Sequence, residues 1–273
     1  MDDTNLINFQ SSPNVFYPPQ TIVCTASFSR FLREYHANLD FFFFVIGLTT
    51  SVDRTRVTAA KAILPGVSET EKRIELEASI VDPDRALNKL ADHSPVQSKN
   101  LTNGIVSAFQ RYFSAIISAA ALKRPEMLSS SEKISISDVL RFTRHKDLVS
   151  FLVDRKINEL SYGGLSEMEK YFNDRLGISM FLEDRQRILL RLFVEARNIN
   201  VHNGGIVNDL FLSRAGQVEG FSYSKGKRFH IGMDELVTLS ENAMRVAMQI
   251  DAAVSEKFCL RRNSHEVWKR PGK

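Results

Sequence analysis

Apolar residues recur along most of this chain at intervals of three and four, the spacing that gathers them on one face of a helix. The most informative case is residues 184–203, which hold no proline or glycine and stop at Gly204-Gly205, the residue type that best tolerates the left-handed turn after a helix. At about 100° per residue, Leu189, Leu192, Phe193, Ala196 and Asn200 share one face. Leu190, Val194 and Val201 form a second apolar flank. The remaining sector carries Asp184, Arg187, Arg191, Glu195, Asn198 and His202, a continuous polar stripe along an otherwise core-like helix. Arg197 sits about 140° from His202 by the same geometry. Its long side chain can still reach round the helix end, toward a site near His202 or toward a second chain.

The same spacing predicts a helix capped by Ser27 or Ser29 and running through Phe28, Phe31, Leu32, Tyr35, Leu39, Phe42, Phe43 and Ile46. Its four consecutive phenylalanines ask for burial between helices or against a second subunit. A further helical stretch runs from about Asp53 to Leu64, before Pro65-Gly66. Residues 68–81 alternate like a strand at Ile74, Leu76, Ala78 and Ile80, yet Glu69, Glu71 and Lys72 favour helix, the reading taken here. Interruptions at Asp82-Pro83 and His93-Ser94-Pro95 set a boundary between an N-terminal arm and helical region, 1–95, and a helical bundle with a basic tail, 96–273. Residues 1–25, with Pro13, Pro18 and Pro19, read as an extended arm. In the second unit, Leu101 to Lys123, two stretches between 137 and 157, a short helix after the 161–164 turn closing at Gly177, the 184–203 helix and Asp234 to Phe258 are helical. Val218 to Ile231 is a loop or a small β-hairpin. The fold class is therefore an all-α helical bundle.

Composition narrows the classes without choosing among them. A chain of 273 residues, 43% apolar and 25% charged, can bury a sizeable core and is not expected to be disordered. A net charge of +4 permits a polyanionic partner without requiring one. The excess gathers at Lys225, Lys227 and Arg228 and in a tail with Arg261, Arg262, Lys269, Arg270 and Lys273. Cys24 and Cys259 stand far apart with no metal-ligand spacing, so neither a disulfide framework nor a metal or cofactor is expected, and a reducing cytoplasm fits. The longest apolar run, residues 41–48, is far short of the roughly 20 residues of a spanning helix. The first residues lack a signal-peptide pattern, so no membrane association is expected. His36, His93, His145, His230 and His265 have no carboxylate or nucleophile at a recognised spacing. P-loop, GxGxxG, HExxH and GxSxG patterns are missing from the sequence.

The chemistry concentrates at Arg197-Asn198-Ile199-Asn200-Val201-His202. Ordinarily a polar stripe is a solvated helix face, and a histidine near a helix C-terminus is a partner of the helix dipole. This hexapeptide, however, resembles the motif of the HEPN superfamily, which runs Arg, a polar residue, three variable residues, His. The continuation Asn203-Gly204-Gly205-Ile206-Val207-Asn208 looks like its bacterial members. The resemblance covers about residues 96–258. It implies a helical bundle that pairs as a homodimer across the motif. In catalytic members it implies a metal-independent endoribonuclease whose motif Arg and His come from both subunits and whose products end in 2′,3′-cyclic phosphate. On that basis Arg197 and His202 are the expected catalytic residues, and Asn198 supports them by orienting the imidazole or touching RNA. A toxin or defence role, restrained by an antitoxin or regulatory protein, is what the family implies for biology.

The implied chemistry is coherent. RNA supplies its own nucleophile in the 2′-hydroxyl. A histidine titrating near neutrality suits the proton transfer, and an arginine fork suits the charge on the phosphate. Glu195 reads as a surface partner of Arg191. A rival from another class is a HEPN-like bundle that binds RNA or a protein without cleaving anything, since function belongs to a site and not to a fold. A helical scaffold that interacts through its Phe-rich helix is a third.

Overall fold

The structure, a computed structural model, describes residues 19–128 and 134–267. Most of the expected extended arm, residues 129–133 and the tail from Trp268 onward lie outside the described residues. The first helix, α1 (Ala26–Ile63), is capped by Thr25 rather than by either serine: Thr25 Oγ1 accepts the Phe28 N–H at 3.2 Å. The two expected N-terminal helical stretches are one helix of 38 residues. Thr49 and Thr50 donate their hydroxyls to the carbonyls of Val45 and Ile46 one turn back, which accommodates both inside the helix. The proximal half of α1 is core, with Phe28, Phe31, Leu32, Tyr35 and Leu39 buried. The phenylalanine run is not enclosed, because Phe41 and Phe44 stand exposed.

Helices α2 (Thr70–Val81) and α3 (Arg85–Asp92) fold back on the distal half of α1. Their joint is the buried Asp53, whose carboxylate accepts the N–H groups of Ala86 at 3.0 Å and Leu87 at 2.9 Å, and a guanidinium N–H of Arg56 at 3.1 Å. Arg56 also donates to the carbonyls of Ser79, Asp82 and Pro83. Residues 68–81 are thus helical from Thr70, as read.

Helix α4 (Ser94–Lys123) begins seven residues before the expected Leu101, because Pro95 sits in its first turn, where a missing N–H costs no hydrogen bond. By length and composition α4 is apolar enough to cross a bilayer, and 56% of its most apolar window is buried inside the protein. It is the axis of the bundle. After the short α5 (Ile136–Leu140) come α6 (His145–Tyr171), α7 (Asp184–His202), α8 (Asp209–Ala215) and α9 (Met233–Lys257); α6, α7, α9 and α1 all pack on α4. The expected turn at 161–164 is instead a bend within α6, at Gly164 with φ of +76°. A π turn, Phe172–Leu176, then closes on Gly177 in the left-handed region.

One contiguous apolar core joins Phe31 and Tyr35 of α1 to Phe109 and Tyr112 of α4, Phe193 of α7 and Leu239 of α9. Apolar packing therefore does not divide at residue 95. The small antiparallel sheet ties the two ends of the described chain together, with Thr21 of β1 (Thr21–Cys24) opposite Glu266 of β2 (Asn263–Glu266). Residues 218–231 are a loop. Its residue Arg228 makes an isolated bridge to Ile206, just after α7.

Candidate functional site

Helix α7 brings its apolar faces to α4, α8 and α9, with Leu190, Leu192, Phe193 and Ala196 all buried. It stops where the glycine pair indicates. Gly204 and Gly205 have φ of +60° and +83°, and the N–H groups of Asn203 and Gly205 both reach the Ile199 carbonyl at 2.9 Å.

The polar stripe is not a solvated face along its length. Arg187 donates to Glu169 of α6 at 2.7 Å and pairs with Asp184. Glu195 is only 4% exposed, which rules out the surface pair with Arg191 expected for it. Its carboxylate lies 3.7 Å from the guanidinium of Arg214 on α8, and its other oxygen accepts Asn198 Nδ2 at 3.3 Å. Asn198 Oδ1 in turn accepts Nη1 of Arg197 at 3.3 Å. The stripe thus turns inward as a chain of contacts, Arg197 to Asn198 to Glu195 to Arg214, between α7 and α8. The bend of α6 at Gly164 lies beside this network: a Cβ there would be 3.8 Å from Nη1 of Arg214, an ordinary contact distance.

Burial pushes the Glu195 carboxyl up, while Asn198, Arg214 and Arg191 draw it back down; the net direction is upward. A raised folded value means that stabilisation is full below the ordinary carboxylate range and is lost as pH rises through the folded value. Glu195→Gln keeps the shape and removes the charge. Thermal melts of the two proteins should therefore shift in favour of the Gln variant between pH 4 and pH 7. A pH-independent difference would show that Glu195 does not titrate apart from its unfolded form.

Arg197 and Asn198 are brought together by this network, and His202 is not. His202 is exposed at the last turn of α7 and makes no hydrogen bond or ion pair among the described residues. Arg197 is half-buried, and its Nε, like that of Arg191, is buried without a partner among the described residues. The arginine retains donors beyond those it uses within the chain.

The loop 218–231 returns to this end of α7. Val207 N–H donates to the Lys227 carbonyl, Gly226 N–H to Val207, and Phe229 N–H to Gly205, each at 2.9 Å. Phe211, Tyr223 and Phe229 pack edge-to-face or tilted, with centroids 5.1 to 5.7 Å apart, and fasten the loop to α8. Exposed Lys227 and Arg228 consequently lie beside the turn that follows His202, while Lys225 is paired with Asp209 at 2.7 Å. Sequence reasoning noted the basic cluster but had no signal for its position. It missed Arg214 altogether, although a carboxylate at Glu195 amid buried apolar neighbours was a hint that some cation must meet it. No protein-family model, no curated protein and no solved structure matches the chain, so any functional reading rests on these residues and their arrangement.

Proposed function

We propose that the protein is a metal-independent endoribonuclease of the HEPN type, acting as a homodimer across the end of α7, with Arg197 and His202 catalytic and Asn198 supporting. The observation that carries this reading is the docking of the 226–229 segment on residues 205–207, which sets exposed Lys227 and Arg228 beside the turn that follows exposed His202. Exposed cations at the helix end that carries a solvent-open imidazole suit a phosphodiester backbone. Arg197, steadied by Asn198 yet holding unspent donors, suits the phosphate oxygens.

In this mechanism His202 takes the proton of a ribose 2′-hydroxyl. The 2′-oxygen attacks the adjacent phosphorus, and the bond to the 5′-oxygen of the next nucleotide breaks as that oxygen gains a proton. Arg197 neutralises the charge that builds on the non-bridging oxygens in between. The products are a 2′,3′-cyclic phosphate and a 5′-hydroxyl, and no step needs a metal.

End-labelled single-stranded RNA incubated with the protein in excess EDTA should be cut and should carry 2′,3′-cyclic phosphate ends. An otherwise identical strand with 2′-deoxyribose at the scissile position should remain intact. Cleavage that EDTA stops, or equal cutting of the deoxy strand, would sink the mechanism. RNA binding without cleavage would leave the non-catalytic module as the better account.

A further inference from the structure

The distal half of α1 carries an apolar stripe that nothing in the described fold covers. Phe41 is 69% exposed, Phe44 65%, Leu48 54% and Val52 51%, while Asp53, on the far side of the helix, is buried at the joint with α3. These four side chains expose on the order of 400–500 Å², an apolar patch of the size that marks interaction surfaces on monomers. Two such patches facing each other approach the roughly 1,000 Å² total of a specific interface.

The order of residues along the stripe selects the occupant. Read in heptads, Phe41, Leu48 and Thr55 take one core position and Phe44 and Ser51 the other, and the residues that immediately precede the first set are Asp40, Gly47 and Arg54. Across an antiparallel pair of identical helices, residues of that flanking position face one another about the two-fold axis. When Phe44 layers on Leu48 of the other copy, Gly47 meets Gly47 at the axis, and Asp40 meets Arg54 on either side of it. A parallel pair would instead set Asp40 and Arg54 against Val45 and Ala59. Neither Asp40 nor Arg54 has an ion-pair partner among the described residues. A side chain at Gly47 would meet nothing within 4 Å, so the backbone there is open to the close approach of a second helix.

We propose that this face of α1 binds the same face of a second copy of the chain, antiparallel and centred on Gly47. The pairing is independent of the nuclease reading, because it uses no residue of α7 and is measured as assembly mass rather than as cleavage. Phe44→Asp should halve the mass seen by light scattering at micromolar concentration with an unchanged helical circular-dichroism spectrum, since exposed Phe44 contributes little to the fold of the single chain. Asp40→Arg and Arg54→Asp should each weaken self-association about tenfold by setting like charges against each other twice per dimer. The double variant, with the charges exchanged, should recover the affinity of the unmodified protein to within about threefold. An unchanged mass for Phe44→Asp overturns the proposal, as does a double variant no tighter than the single ones.

Discussion

His202→Ala should slow RNA cleavage by on the order of 10² to 10⁴, the usual contribution of a positioned acid–base group. Arg197→Ala should cost about 10² to 10³, as removal of a donor that meets developing charge generally does. Both losses should come with an almost intact fold. His202 is exposed and without partners among the described residues, and Arg197 gives up one hydrogen bond, to Asn198, worth about 1 kcal/mol. Arg197→Lys keeps the charge and loses the two-pronged grip, so it should recover only part of the rate. Single-turnover rates measured beside thermal melts separate these effects. Full activity in His202→Ala would remove the imidazole from the mechanism. A melt lowered as far as the activity would reduce Arg197 to a structural residue.

Asp53→Ala should release α2 and α3 from α1 at a cost of about 2–3 kcal/mol, the range for losing hydrogen bonds to a buried charged group. The side chain is buried, and its removal strands the first N–H groups of α3 together with one contact of Arg56. Arg56 retains its carbonyl partners, which keeps the cost below that of orphaning a fully buried ion. The loss should appear as faster amide exchange across residues 70–92, with α4, α7 and α9 still protected, because Asp53 is remote from the contiguous core.

The pH dependence follows from the same contacts. Burial works against the Asp53 charge, but the N–H groups of Ala86 and Leu87 and the Arg56 guanidinium outweigh it and hold the carboxyl below the ordinary range. A lowered folded value gives stabilisation that is full above the ordinary carboxylate range and is lost as pH falls through the folded value. The stability gap between the unmodified protein and Asp53→Asn should therefore be wide at pH 7 and narrow toward pH 3. An equal gap at both would mean that the charge contributes nothing.

Much of the helical architecture was legible because its causes are local. Apolar spacing marked α7 and α9 almost to their ends, Gly204-Gly205 stopped the first of them, and glutamates decided residues 70–81 against a strand. Arg197, Asn198 and His202 were found by motif, which needs only neighbours in the chain. The errors arose where two local signals were close to balance. One helix was expected through Ile46 and another from about Asp53, yet between them the hydroxyls of Thr49 and Thr50 bond one turn back and α1 runs on.

What the sequence determined by itself is the all-α class, the course of α7 and the chemical inventory at its end, since short-range backbone preferences and side-chain identity suffice for those. Tertiary structure alone decided the direction in which each face points. Glu195 lies inward, where Asn198 and Arg214, the latter 19 residues later and on another helix, offset part of the cost of burying a carboxylate. Lys227 and Arg228 came beside the turn after His202 because loop 218–231 pairs its backbone with residues 205–207 and packs Tyr223 and Phe229 against Phe211. Phe41 and Phe44 stayed outside because α2 and α3 dock on the Asp53 side of α1 and leave the opposite side open. Helical periodicity tells which residues share a face; only the packing of one helix on another assigns that face to core, partner or water.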